Sequence, residues 1–240
     1  MKKRLFRIIL VLILMILAAA GTLLSQGYLR YKREVEILPV EKAVQTYTSK
    51  DGYADFDEID EDFVNAVIAV EDKRFFTRKG YDFIALARAL YHNLKAGDLI
   101  EGGSTICEQI AKNLYLGGYV EGLEEKMAEI FLMLHLEDTF SKEDLFALYA
   151  NMNYYGDGYW GIVQASEGYY GTGPDDLTLA KASMLAGIPN APAIYQLSSG
   201  FEDARGRQEW VLMTMLNNGF ITQEEFDEAL KEDVRPKMAG

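Results

Sequence analysis

The sequence predicts a mainly α-helical globular domain carried behind one membrane-spanning helix. Three observations lead there. A long apolar run follows a basic tip at the N-terminus. Beyond it, apolar residues recur at helical spacing. Short clusters of Ser, Thr, Asp, Asn and Gly punctuate those stretches where helices start and stop. At 240 residues and 49% apolar composition, the chain suits one domain with a sizeable core plus a short extra segment.

That segment comes first. Lys2, Lys3, Arg4 and Arg7 precede a charge-free run from Ile8 to Leu29, apolar almost throughout up to Leu24. A helix over Leu5–Leu24 is about 30 Å long, enough to cross the hydrocarbon core of a bilayer. The reading is a cytoplasmic tail at 1–4 and a signal-anchor helix at 5–25, with the rest outside the cytoplasm. Ala18, Ala19 and Ala20 also fit the cut site of a cleaved signal peptide. The length of the run, and its continuation past the alanines, favour an anchor. Either way the remainder is translocated.

Residues 26–60 read as a polar, irregular connector, with a short strand around Val44–Thr48 and an acidic run at Asp55–Asp62. The domain then occupies 61–240. Asp62 caps a predicted helix Phe63–Phe76 with an apolar stripe of Val64, Val67, Ile68 and Phe75. Further helices are expected over Phe83–Lys95, Ser104–Leu116, Leu123–Glu137 and Leu177–Ala186, the last closed by Gly187 and Pro189. Ser141 with Asp144 forms a capping-box pattern for Lys142–Met152. One helix runs from near Arg207 to Asn217-Asn218-Gly219, and Thr222 with Glu225 opens the last.

Composition excludes several functions. Cys107 is the one cysteine, so no internal disulfide forms. Residues 1–33 carry seven Lys or Arg and no acids, so the remainder carries −20 of the net −13. Within it, 71–115 is almost balanced, the one stretch where an anionic substrate is tolerated. Nucleic acid is not an expected partner. There is no HExxH, CxxC cluster or GxSxG, and His92 and His135 read as surface or core-edge residues.

Four segments carry chemistry. In Glu71-Asp72-Lys73-Arg74-Phe75-Phe76, Glu71 falls on the apolar stripe begun by Val64, so partial desolvation raises its pKa into the range of a general base or acid. Asp72 faces elsewhere. A solvated charge run with Glu71 in a salt bridge reads equally from these residues alone. Gly102-Gly103-Ser104-Thr105-Ile106 leads glycines into a helix N-terminus suited to phosphate oxygens, with Gln109, Lys112 and Asn113 sharing one polar face. The plainer alternative pairs Glu108 with Lys112 on a solvated helix. Lys126 and Glu129 lie one turn apart, as a surface pair would. Tyr149 to Gly156, followed by Gly161, Tyr169 and Tyr170, offers aromatics for sugar stacking or for a packed core.

The order and spacing of these motifs resemble the peptidoglycan glycosyltransferase family, also called the penicillin-binding-protein transglycosylase domain. The likeness runs from about Asp62 to Thr222 and includes Ser-Lys-x-x-x-x-x-x-Tyr-x-Asn at 141–151 and Leu185-Ala186-Gly187-Ile188-Pro189. It implies a lysozyme-like, two-lobed, mostly helical fold. The implied substrates are the lipid-linked disaccharide-pentapeptide (lipid II) and a growing polyprenyl-linked glycan strand. By that resemblance Glu71 is the general base on the acceptor 4-hydroxyl. Glu129 is the second catalytic acid, holding pyrophosphate or a Mg²⁺ or Mn²⁺ ion bound to it; no organic cofactor is implied. Asp72, Phe75, Arg78, Gly103, Ser104, Thr105, Gln109, Lys112, Asn113, Lys126 and Asn151 match substrate-binding positions.

The chain departs from the family pattern in having Arg78 for a histidine, Glu125-Lys126 for Arg-Lys, and Ala150 within Tyr149-Ala150-Asn151. Glu125 reverses a charge near the implied pyrophosphate site. No Ser-x-x-Lys, Ser-x-Asn and Lys-Thr-Gly set is present, which is expected of a monofunctional polymerase. Two alternatives remain at this level. One is a silent precursor-binding or scaffolding membrane protein, working with cell-wall synthesis partners. The other is a lytic transglycosylase or lysozyme, which has no need of the Gln109–Lys112 set. Phe83–Ile100 reads as a membrane-proximal amphipathic segment.

Overall fold

The computed structural model describes residues 2–78, 80 and 104–237. The expected helix Phe83–Lys95, the amphipathic segment to Ile100, His92 and Gly103 lie outside the described residues. The smaller lobe of a two-lobed arrangement would draw on the same stretch.

Every regular element among the described residues is helical, with a single isolated β-bridge between Tyr154 and Trp160. The first helix, α1 (Lys2–Ile37), continues unbroken past residue 25 into the first part of the expected connector. Over Leu5–Leu17 its side chains are exposed, and this helix is long and apolar enough to cross a membrane. Beyond that, Leu23, Gly27, Arg30, Tyr31, Glu34 and Val35 form one shielded stripe at three- and four-residue spacing. That stripe gives α1 a tertiary contact where the sequence suggested irregular chain. The expected strand at Val44–Thr48 is also helical: α2 (Val40–Thr48) buries Val40, Ala43 and Val44 on one face.

α3 (Glu61–Glu71) starts one cap earlier than expected, because Asp60 rather than Asp62 accepts the first free N–H, from Asp62 at 2.9 Å. It ends at Glu71, so Phe75 is not on its stripe although it is fully buried. After the undescribed stretch come α4 (Ile106–Tyr115), α5 (Gly122–Thr139), α6 (Lys142–Met152), α7 (Ile162–Tyr170) and α8 (Leu179–Gly187). A short α9 (Pro192–Tyr195), α10 (Phe201–Asn218) and α11 (Gln223–Ala229) complete the order. The Ser141–Asp144 and Thr222–Glu225 capping boxes form as expected. Two more join Thr105 and Glu108 at the start of α4 and Asp55 and Glu58 ahead of α3.

The core is aromatic. Phe63, Phe75, Phe146 and Tyr155 are fully buried, with Phe63 and Phe75 both edge-on to Phe146 at 6.3 and 6.2 Å. α3 packs against α8 and α10, while α4 packs against α5 and α6. The C-terminal end of α3 and the N-terminal end of α4 therefore meet beside α10.

Candidate active site

A cleft of about 720 Å³ opens where those three helices meet. Glu71, the last residue of α3, projects into it, half-buried, and accepts a hydrogen bond from Gln109 Nε2 at 2.7 Å. Burial raises the Glu71 carboxyl above the usual carboxylate range. The Gln109 hydrogen bond and the charges of Arg207 and Lys112 oppose that rise without cancelling it. Lys73, Ser104, Lys112 and Tyr149 line the same space. Opposite stand Arg207, Trp210 and Asn218 of α10.

Arg207 is held by local packing. Its guanidinium lies 4.1 Å from the Trp210 ring centre, and its stem passes Gly187, where a Cβ would come within 2.9 Å of Arg207 Cγ. Its Nε is buried without a hydrogen-bond partner, and burial lowers its pKa. Among the described residues neither Arg207 nor Lys112 forms an ion pair. A cleft that holds one desolvated carboxylate and unpaired cations is built to receive an anion next to a base.

A second polar cluster adjoins it, with the Lys112 charge acting on both Glu71 and Glu129. Lys126 Nζ lies 2.7 Å from Glu108 Oε1 and 3.0 Å from Glu129 Oε2. The second contact is close enough for an ion pair but misaligned for a hydrogen bond, so Glu129 Oε2 is buried without a hydrogen-bond partner. Burial raises Glu129 despite Lys126. Burial also pulls the Lys126 ammonium down, but Glu108 and Glu129 together outweigh it and hold its pKa above the ordinary value. Glu108 thus pairs with Lys126 and not with Lys112, which leaves Lys112 available.

The family model described as Transglycosylase matches residues 40–216, well over half of the chain. The chain belongs to the transglycosylase family. Penicillin-binding protein 1A of Aquifex aeolicus (strain VF5) is 39% identical over 185 residues, covering 77% of this chain and 25% of that protein. The Neisseria flavescens protein of the same name is 41% identical over 170 residues, 71% of this chain and 21% of that one. This transglycosylase chain therefore spans about a quarter of the length of the curated relatives it matches. The crystal structure of Penicillin-Binding Protein 1A from Haemophilus influenzae is 33% identical, covers 42% of this chain and 15% of that chain, and superposes with a TM-score of 0.38.

Within this transglycosylase, several residues matched to substrate binding lie away from the cleft wall. Asp72 and Arg78 are spent on each other, at 2.6 Å, and Arg78 also pairs with Glu137 at 2.7 Å. All three side chains are at most 7% exposed, and Lys142 completes the group on Glu137. Phe75 is core. Thr105 is the buried N-cap of α4. Asn151 joins two segments, donating to the carbonyls of Ala54 and Ala147 at 2.8 Å each and accepting from Ala54 N–H at 3.0 Å. Asn113 is half-exposed and not among the cleft residues. Of the aromatics that the sequence offered for sugar stacking, Tyr149 alone reaches the cleft; Tyr155, Tyr169 and Tyr170 are buried, and Tyr154 packs at a tilt against Trp160 at 4.8 Å.

Sequence reasoning missed Arg207 and Trp210, gave Lys73 no role of its own, and offered Lys112 as the partner of Glu108. The first two had a weak signal in the cationic and aromatic residues one turn apart on one face of α10. Glu125 is also reassigned: it ion-pairs with Arg30 of α1 at 2.7 Å.

Proposed function

We propose that this transglycosylase is a peptidoglycan glycosyltransferase that polymerises lipid II outside the cytoplasm. One observation carries the reading. Glu71 is a desolvated carboxylate of raised pKa, oriented by Gln109, in a cleft whose unpaired cations fit a strongly anionic leaving group. Glu71 takes the proton of the acceptor sugar's 4-hydroxyl. The freed oxygen bonds to the donor's anomeric carbon, the bond from that carbon to the pyrophosphate oxygen breaks, and the configuration inverts. The pyrophosphate leaves on its polyprenyl chain. Lys112 and Arg207 stabilise the charge developing on that side, in a site where less water screens them.

Lys126 and Glu129 belong to the same donor region. Among the described residues no set of three carboxylate, histidine or cysteine ligands converges. Glu129 Oε2, buried with no hydrogen-bond partner beside Lys126, would hold a Mg²⁺ or Mn²⁺ ion that arrives already bound to pyrophosphate, whose charge the ion would help neutralise. Placement relative to the membrane supports a lipid-linked substrate. The apolar run of α1 ends at Leu24, and Gly27 packs against Met127 of α5. Three residues of helix are about 4.5 Å, so Lys126 sits near headgroup level if α1 spans the bilayer. Within these 240 residues the reading assigns one reaction, glycosyl transfer.

The test is polymer formation by purified chain in detergent with lipid II and Mg²⁺, read on a gel, beside Glu71→Gln. Wild type should polymerise and the variant should not while keeping its helical spectrum. Folded wild type that yields no polymer, or equal polymer from Glu71→Gln, would overturn it.

A further inference from the structure

The helix that carries Lys126 and Glu129 starts without a side-chain cap, as α7 and α10 also do. α4, α6 and α11 each open on a capping box. α5 opens on Glu121, whose side chain makes no cap hydrogen bond, followed by Gly122 at φ +87°. Gly117 and Gly118, just upstream, also adopt positive φ. A helix start so placed, after three glycines in the left-handed region, has little of its own to hold it. Yet the first turns of α5 carry the second polar cluster.

What holds that start comes from α1. Glu125 Oε1 pairs with Arg30 at 2.7 Å, while Glu125 Oε2 accepts from the Glu121 N–H. Glu125 thus serves as a tether, joining the uncapped end of α5 to the membrane helix. The two helices run in the same direction, since Gly27 meets Met127 and Tyr31 meets Phe131 and His135. They are close: a Cβ on Gly27 would fall 2.3 Å from Met127 Cβ. Tyr28 packs edge-on to Phe131 at 5.3 Å, and Tyr31 Oη shares a hydrogen bond with His135 Nδ1 at 3.2 Å. The negative charge of Glu125 is also favourable at a helix N-terminus, and Arg30 neutralises it beside a site meant for an anion.

We propose that Arg30 and Glu125 are positioning residues, through which the membrane helix sets the place of Lys126 and Glu129 and so the affinity for the lipid-linked pyrophosphate. The inference rests on the proposed glycosyl transfer for its kinetic consequence, though not for its structural one. On this account the charge reversal at Glu125 is compensated within the chain, and the anchor is a working part of the donor site as well as an attachment.

The experiment uses the full chain in detergent micelles, comparing wild type, Arg30→Glu, Glu125→Arg and the double charge swap. Two quantities are read: amide hydrogen exchange over residues 122–129, and kcat and KM for lipid II. Each single reversal should speed exchange there and raise KM about three- to tenfold, with kcat changed less, as expected for an ion pair worth up to about 1 kcal/mol set against a new like-charge contact. The swap should restore both. Single variants with wild-type exchange and KM, or a swap as impaired as either single, would overturn the proposal. If wild type makes no polymer, the glycosyl-transfer reading fails by itself, and the exchange data still decide whether the pair orders α5.

Discussion

Replacing Gln109 by leucine should move the acid limb of the pH–rate profile upward. Gln109 Nε2 donates to Glu71 Oε2 at 2.7 Å, and this bond favours the ionised carboxylate over the protonated one. Burial already pushes the Glu71 carboxyl above its ordinary range. Leucine keeps the volume but removes the donor. Hydrogen bonds to charged groups contribute about 1.5–3 kcal/mol, and Arg207 and Lys112 still favour the ionised carboxylate in the variant, so the low end applies. With about 1.4 kcal/mol per pKa unit, the limb should rise by about one unit. The sign follows from the role, since a base must be deprotonated to work and a higher pKa needs a higher pH. The assay is kcat/KM for lipid II polymerisation from pH 4.5 to 8.5 with a fluorescent precursor. A limb that stays in place while activity falls equally at every pH would show that Gln109 acts on substrate and not on Glu71.

Three further outcomes follow from the same geometry. Glu71→Gln should melt higher than wild type at neutral pH. A carboxyl whose folded pKa is raised costs nothing below its unfolded pKa and destabilises increasingly above it, so the gain should vanish near pH 4; a variant less stable at pH 7 would contradict the burial argument. Arg78→Ala strands the buried Asp72 and should cost about 3 kcal/mol or more, lowering the apparent Tm by roughly 10 °C in a thermal melt, whereas a surface pair would lose almost nothing. Gly161→Ala should cost roughly 1–3 kcal/mol in the same melt. Gly161 has φ +84°, and a Cβ there would sit 2.9 Å from the Asn151 carbonyl oxygen.

Much of this chain was legible one segment at a time. The apolar run and its basic tip determine an N-terminal helix able to span a membrane. Thr222 with Glu225 and Ser141 with Asp144 determine helix starts, because capping is a bargain among residues three apart. Period places Glu71 on an apolar stripe, but a solvated salt bridge fitted the same residues, and burial beside Gln109 decided for the desolvated carboxylate. Tertiary structure decided what depends on partners far away in sequence. Arg30 settles the meaning of Glu125 across 95 positions, and Glu137 turns Arg78 from a substrate contact into a buried ion pair. The irregular-looking stretch after residue 25 is helix, packed where α5 offers a surface for Gly27 and Tyr31. Arg207 enters the site because α10 crosses the end of α3. Periodicity reports the face a side chain occupies. Which charge lies opposite is set by packing, and that alone determines whether an ionisable group is spent on the fold or left free for chemistry.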